Sequence, residues 1–102
     1  MKVRRDDGYQ IDTDKALLDV DYIHAYLSEK SYWAQGRSRW AVETAIANSL
    51  CFGLYSEGAQ VGFARIVTDY AIFAYLCDLF VDPAHQGEGL GVAAVARAQR
   101  GD

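Results

Sequence analysis

One stretch decides the fold of this chain: Leu79-Phe80-Val81-Asp82-Pro83-Ala84-His85-Gln86-Gly87-Glu88-Gly89-Leu90-Gly91. It begins as an apolar run that favours a strand and stops at Pro83, which cannot donate a ladder hydrogen bond. A glycine-rich loop follows, and a helix-compatible segment comes after it. Glycines let a backbone approach a ligand closely, and a helix N-terminus presents unpaired N–H groups. This order predicts a seat for an anion at the end of a strand.

The glycine spacing is a weak signal by itself, since Gln86, Gly89 and Gly91 stand only at i, i+3 and i+5. A Walker A loop is excluded because it ends in Gly-Lys-Ser/Thr, whereas Val-Ala follows Gly91 here. A dinucleotide fingerprint opens a βαβ unit, whereas hairpins are predicted ahead of this loop. Two interpretations remain. The N–H groups of Gly87 to Gly91 surround a pyrophosphate-type anion, or the glycines serve a plain tight turn.

The composition is typical of a single globular domain over residues 1–102, with 51% hydrophobic and 24% charged residues. A net charge of −4 without a basic stripe argues against nucleic-acid binding. No run reaches the roughly 18 apolar residues of a membrane span. The N-terminus does not read as a signal peptide, so we expect a cytoplasmic protein without a membrane partner. Cys51 and Cys77 lack metal-ligand spacing and read as core residues, so no metal is expected.

Two helices are predicted in the first half of the chain. Asp19 is placed to cap the first, and Ser38 is placed to cap the second over about 39–48. The loop between them carries Tyr32 and Trp33. Aromatic rings on a loop are candidate ligand walls, although these two could instead tuck under the second helix.

Strand patterns occupy the remaining segments. Residues 8–13 predict a short edge strand, and 50–55 with 60–68 predict a β-hairpin. A third strand is predicted over Ile72 to Val81. It is apolar at nearly every position, so we expect it to be covered on both faces and central to the sheet. Asp78 interrupts this strand, either as a functional carboxylate or as a core-facing group bonded to neighbouring backbone.

The run from Cys77 to Gly91 resembles the acetyl-CoA-binding motif of the GNAT superfamily of N-acetyltransferases. That motif is a strand of the type D-hydrophobic-aromatic-V-x-P, then (Arg/Gln)-x-x-Gly-x-(Gly/Ala), then a helix. The order of elements predicted over residues 8–91 also resembles the family. The resemblance implies an α+β domain with a mixed, mostly antiparallel sheet in the order β-α-α-β-β-β-α, without the family's C-terminal strands.

The resemblance also implies a chemistry and a set of site residues. Acetyl-CoA would be the co-substrate, a small-molecule or N-terminal amine the acceptor, and Asp78 the base or water-positioning residue. Tyr32 and Trp33 would border the acceptor pocket, and Tyr75 and His85 are further candidates for ligand contact. The backbone groups that would bind CoA belong to Leu79, Phe80 and Val81 at the pantetheine arm and to Gln86, Gly87, Glu88, Gly89, Leu90 and Gly91 at the pyrophosphate.

The chain departs from the family pattern after the glycine loop. Residues 92–102 are small and sparse, although a helix over Val92 to Arg100 is compatible with them. The family normally continues with a further strand, a helix that carries a general-acid Tyr, and a hairpin. We therefore expect a truncated or frameshifted domain whose Ile72 to Val81 strand is an apolar edge that pairs with a second copy. Two functions stay open: an N-acetyltransferase whose activity in this short form is in question, and a non-catalytic remnant that assembles through that strand.

Overall fold

The computed structural model describes residues 1–31, 33–87 and 89, and the helix considered for 92–100 lies outside them. The described chain is an α+β domain. Its five strands form one sheet in chain order, and every described pairing is antiparallel. Short 3-10 turns cover Lys15–Leu17 and Pro83–His85. The strands and helices are β1 (Lys2–Arg4), β2 (Tyr9–Asp12), α1 (Val20–Lys30), α2 (Arg39–Ala47), β3 (Leu50–Ser56), β4 (Ala59–Thr68) and β5 (Ala74–Val81).

The capping residues start both helices, as predicted. The Asp19 carboxylate accepts the Tyr22 N–H at 3.0 Å, and the Ser38 hydroxyl accepts the Ala41 N–H at 3.1 Å. Such caps satisfy N–H groups that have no partner within the helix. Each helix then buries a narrow apolar face toward the sheet, which includes Ile23 in α1.

The β3–β4 hairpin also forms as predicted. Its two-residue turn places Glu57 at φ 52° and Gly58 at φ 84°. Positive φ at both central positions matches the right-handed twist of the two strands. Alternate strand residues then point to opposite faces of the sheet. Phe63 and Phe80 pack on the face that carries both helices, while Leu54 belongs to the cluster on the other face.

The short strand predicted at 8–13 forms as β2, but it is not an edge, because β1 is added beside it. β1 pairs with β2, and Val3 lies opposite Ile11. Three residues, two of them charged, carry too little alternation to mark a strand in the sequence. The β1–β2 pairing therefore becomes visible only in the fold.

The third strand begins at Ala74 rather than at Ile72. The carboxylate of Asp69 accepts the backbone N–H groups of Ala71, Ile72 and Phe73 at 2.9–3.0 Å. Those N–H groups are therefore drawn into a local turn and cannot join the ladder with β4.

The expectation that this strand is central to the sheet is wrong within the described residues. β5 pairs only with β4, and its first half is open, with Tyr75 62% exposed. Its second half is different, since Asp78 and Phe80 are buried. A continuous apolar run therefore reflects an exposed edge at one end and a packed site at the other.

We predict that Gly62→Ala destabilises the fold by about 2 kcal/mol, because an added β-carbon overpacks the joint between β4 and β5. That carbon would stand 2.9 Å from the carbonyl oxygen of Phe80 and 2.7 Å from Leu54 Cδ1. Urea unfolding measures the free energy of unfolding.

Gly58→Ala is the matched control, because a β-carbon there meets nothing within 4 Å and only the positive φ is strained. We expect it to cost about 1 kcal/mol. Equal costs at the two glycines would contradict the close approach of β4 and β5.

Candidate functional site

A groove of about 330 Å³ lies beside the second half of β5. Its walls come from α1, from the loop after α1 and from β5 itself. The residues that line it are Tyr26, Lys30, Ser31, Trp33, Leu79, Phe80, Val81 and Gln86. The structure thus brings together predicted site residues that lie far apart in the sequence, namely Trp33, the 79–81 segment and Gln86.

Stacked aromatic rings form one wall of this groove. The rings of Tyr26 and Phe80 lie 4.0 Å apart and nearly parallel, at 7°. Tyr22 packs against Phe80 at 5.8 Å. Burial, followed by the charge of Asp82, raises the pKa of both tyrosines, so their phenols keep their protons at neutral pH. The wall is therefore aromatic and carries no charge of its own.

The glycine loop after β5 is held in place by its neighbours. Asp82 accepts the Ala84 N–H at 3.1 Å, and a 2.8 Å hydrogen bond joins His85 Nδ1 to the hydroxyl of Tyr9 on β2. Gly87 at φ 89° and Gly89 at φ 74° take left-handed conformations that side chains disfavour. The loop can therefore turn tightly beside the groove.

Two cations lie near these features. Lys30 Nζ stands 5.5 Å from the centre of the Tyr26 ring in the groove wall. Arg5 Nη1 lies 3.9 Å from the place where a β-carbon on Gly89 would stand. Arg5 also pairs with Asp7 at 2.7 Å. One cation therefore lies at the groove wall and one near the glycine loop, in a chain with a net charge of −4.

Asp78 is the most completely paired carboxylate described at the site. Its Oδ1 accepts the Trp33 Nε1–H at 2.9 Å. Its Oδ2 accepts Arg65 Nε–H at 2.7 Å and Arg37 Nη1–H at 3.0 Å. Arg65 also donates to the hydroxyl of Ser49 at 3.1 Å. We call Asp78, Arg37, Arg65 and Trp33 the Asp78 cluster.

The Asp78 cluster controls the charge of its carboxylate. Burial acts to raise the pKa of Asp78, but hydrogen bonds from Arg65, Trp33 and Arg37 outweigh it and hold that pKa below its ordinary value. A carboxylate with a lowered pKa and two occupied oxygens is a weak proton acceptor. Its partners are side chains rather than the neighbouring backbone. The base role of Asp78 stays a prediction, and its contacts favour a structural role.

The other predicted site residues are distributed unevenly. Tyr75 lies on the open half of β5, outside the lining of the groove. The carbonyl of Val81 accepts Gln86 Nε2–H at 2.9 Å, so a group on the chain itself already uses it. His85 bonds to Tyr9 rather than lining the groove. The predictions for Tyr32, Glu88, Leu90 and Gly91 lie outside the described residues.

Sequence reasoning missed several lining residues. In the sequence Tyr26 fits the apolar face of α1, Lys30 fits its C-terminal end and Ser31 fits the loop that follows, so none of them is marked as a groove residue. All three share the end of α1 that faces β5, but a helical pattern does not reveal which strand it meets. Arg5 gave no signal, since it stands in a charged N-terminal segment.

A larger cavity of about 500 Å³ lies at the β1–β2 hairpin, away from the groove. Its lining includes Arg4, Arg5, Tyr9 and Tyr55 but none of the site residues predicted from the family motif. Burial raises the pKa of the Cys51 thiol to about 11, so this thiol is not a ready nucleophile. Among residues 1–31, 33–87 and 89, no group of three or more His, Cys, Asp or Glu side chains could hold a metal ion.

The helices of the described chain are all too short or too polar to cross a membrane.

The model of the acetyltransferase (GNAT) family matches residues 20–100, which span both helices, the β3–β4 hairpin, β5 and the glycine loop. This chain therefore belongs to the GNAT acetyltransferase family. The resemblance read from Cys77 to Gly91 and the α+β fold class are both confirmed.

Known proteins agree with this assignment. A Gibberella zeae protein named as an acetyltransferase is 38% identical over an alignment 102 residues long. The aligned part covers 81% of this chain and 58% of that protein. The crystal structure of a Xanthomonas campestris pv. campestris protein described as a GNAT-family acetyltransferase is 44% identical, with a TM-score of 0.85, and the match covers 89% of this chain and 64% of that one. The chain thus spans about three fifths of the length of these relatives.

A more distant likeness supports the fold alone. The PaiA N-acetyltransferase from Thermoplasma acidophilum, solved in complex with coenzyme A, is 18% identical with a TM-score of 0.55. The match covers 86% of this chain and 55% of that one.

We predict that Asp78→Asn lowers the free energy of unfolding by about 3 kcal/mol at pH 7, because it removes one partner of a buried ion pair. The folded-state pKa of Asp78 is lowered, so its contribution is present above the ordinary value of 3.8 and is lost as the pH falls through the folded value. Denaturant unfolding from pH 7 to pH 2 should show the two proteins converging below about pH 4.

Asp21→Asn serves as the control, since Asp21 pairs with Arg39 at an exposed position. It should change stability little at any pH. A deficit of Asp78→Asn that stayed constant from pH 7 to pH 2 would contradict the charged cluster.

Proposed function

We propose that this chain binds acetyl-CoA along the second half of β5 and transfers the acetyl group to an amine. The observation that carries this proposal is the continuity of the groove with the glycine loop. Gln86 both lines the groove and opens the loop that contains Gly87 and Gly89. One elongated ligand with an apolar arm and an anionic end fits that arrangement.

The chemistry of the lining supports the two halves of such a ligand. The pantetheine arm would lie beside Leu79 and Phe80, where β5 has no further strand partner within the described sheet. The pyrophosphate would lie at the backbone of Gly87 and Gly89. Arg5 would add a charge-assisted contact to the anionic end.

The reaction itself needs few groups from the protein. The amine nitrogen attacks the thioester carbonyl, a C–N bond forms, and the C–S bond breaks. The amine gives up a proton to a base or to water, and the departing thiolate takes one up. Trp33 would border the acceptor, and Tyr32 and Tyr75 remain candidates for acceptor contact. A small-molecule or N-terminal amine fits this reaction. We place the protein in the cytoplasm, and the free thiols of Cys51 and Cys77 are compatible with a reducing compartment.

A second candidate function is assembly through the open half of β5. Apolar side chains cluster there and in the turn before it, with Leu76 42% exposed in the strand and Ile72 96% and Phe73 53% exposed in the turn. An apolar strand edge of this kind pairs readily with another chain. A second copy fits best, because it brings an identical strand with the same unsatisfied N–H and C=O groups. The alternative of a non-catalytic, self-associating GNAT domain rests on this surface.

We predict that the purified chain binds CoA and that Arg5→Gln weakens this binding about 10-fold, the loss expected for one contact with a charged group. Isothermal titration calorimetry with CoA, and separately with inorganic pyrophosphate, measures both affinities. Arg4→Gln is the matched control, since Arg4 is the preceding residue and pairs with Gln10 across the β1–β2 ladder. It should leave both affinities unchanged.

The absence of any CoA binding by the unaltered chain would overturn the proposed function. Binding without release of free thiol from acetyl-CoA, over a panel of amines, would favour the non-catalytic alternative. Equal affinities for the Arg5→Gln and Arg4→Gln proteins would remove Arg5 from the anion seat.

For the assembly, we predict that Leu76→Lys converts a dimer into a monomer, because a charge cannot be desolvated at a paired apolar edge. Multi-angle light scattering measures the mass. Leu17→Lys is the control, since Leu17 is 47% exposed and lies on the 3-10 turn Lys15–Leu17, away from β5. A monomeric unaltered chain at high concentration would contradict the assembly.

A further inference from the structure

We propose that Asp78 is a positioning residue that clamps the loop between α1 and α2 onto the sheet and thereby fixes Trp33 as a wall of the groove. This loop comprises residues 31–38, of which 31 and 33–38 are described. The part of the proposal that concerns CoA rests on the function proposed above. The part that concerns the loop stands on the contacts alone.

The clamp joins elements that are distant in sequence. Arg37 and Trp33 come from the loop, while Arg65 comes from β4 and Asp78 from β5. The Asp78 side chain is 1% exposed, whereas that of Arg37 is 24% exposed. A carboxylate so far from water holds its donors strongly, because their loss would leave a buried charge uncompensated.

The loop backbone is held at the same residue from the other side. The carbonyl of Arg37 accepts the Ser28 hydroxyl at 2.9 Å and lies 3.0 Å from His24 Nε2, and both partners are on α1. Gly36 N–H also donates to the Ser28 carbonyl at 3.3 Å. Arg37 therefore contacts α1 through its own backbone carbonyl and contacts Asp78 in the sheet through its guanidinium group. His24 is one of these anchors.

This arrangement determines where Trp33 stands. Its indole N–H is bonded to Asp78, and its side chain also lines the groove beside Leu79 and Phe80. Moving the indole away would remove one of the donors that compensate the buried carboxylate. The loop is therefore a fixed wall rather than a swinging lid. The width of the groove, and hence the group that it admits, therefore depends on the Asp78 carboxylate, which holds the Trp33 indole in place.

The chain offers a direct reporter, since its only tryptophans are Trp33 and Trp40. In a Trp40→Phe background, Trp33 is the sole source of tryptophan fluorescence. Acrylamide quenching then reports access to its ring, and titration with CoA reports the groove. Arg37→Gln removes one donor and leaves Arg65 in place, so the fold is expected to survive. Arg37→Lys tests rescue by a cation, and Arg39→Gln is the matched control on the surface.

We expect Arg37→Gln to raise the quenching of Trp33, to shift its emission to the red, and to weaken CoA binding at least about 5-fold, the lower end of typical coupling between sites. Arg37→Lys should restore part of both effects, and Arg39→Gln should change neither. Quenching in Arg37→Gln that equals quenching in Arg39→Gln would overturn the clamp, whatever happens to CoA.

Two other outcomes separate the parts of the proposal. Greater exposure of Trp33 with unchanged CoA affinity would overturn its role as a groove wall. Greater exposure of Trp33 in a chain that never binds CoA would support the clamp and overturn the proposed function instead.

Discussion

The buried charge of Asp78 has to be compensated by hydrogen-bond donors inside the fold. The position of these donors determines where the loop after α1 lies against the sheet. A buried carboxylate is tolerated only with close donors, and here they come from β4 and from the loop after α1. The same bonds that satisfy this charge bring Trp33 to the edge of β5. A single residue in the family motif strand thus joins the sheet to the wall of the groove.

The glycine loop depends on a second set of contacts at the opposite end of the groove. His85 bonds to Tyr9 on β2, and Arg5 from the same hairpin reaches the neighbourhood of Gly89. The N-terminal hairpin therefore supports the candidate anion seat as well as extending the sheet. Such contacts matter at this loop because glycines supply freedom of the backbone but no side-chain packing of their own.

Local signals in the sequence predicted the features that depend on local chemistry. The caps at Asp19 and Ser38, the turn at Glu57-Gly58 and the stop at Pro83 each act through the backbone of their own neighbours. The glycine motif predicted the family because it, too, is a local pattern of neighbouring residues. The apolar pattern of β5 predicted a central strand, whereas the resemblance to the family predicted an edge, and β5 is the edge of the described sheet. The partners of Asp78 could not be predicted, because they depend on which elements meet in space. Arg37 and Arg65, for example, carry no mark in the sequence that they share one carboxylate.

The central claim is that a chain of the GNAT acetyltransferase family holds CoA between the second half of β5 and the glycine loop. Nuclear magnetic resonance spectra of the ¹⁵N-labelled chain, recorded during titration with CoA, test it most directly. The account predicts shifts at the backbone amides of Leu79, Phe80, Gln86, Gly87 and Gly89 and at the indole N–H of Trp33. Shifts confined to the β1–β2 hairpin, with none at β5 or the glycine loop, or no shifts at all, would contradict it.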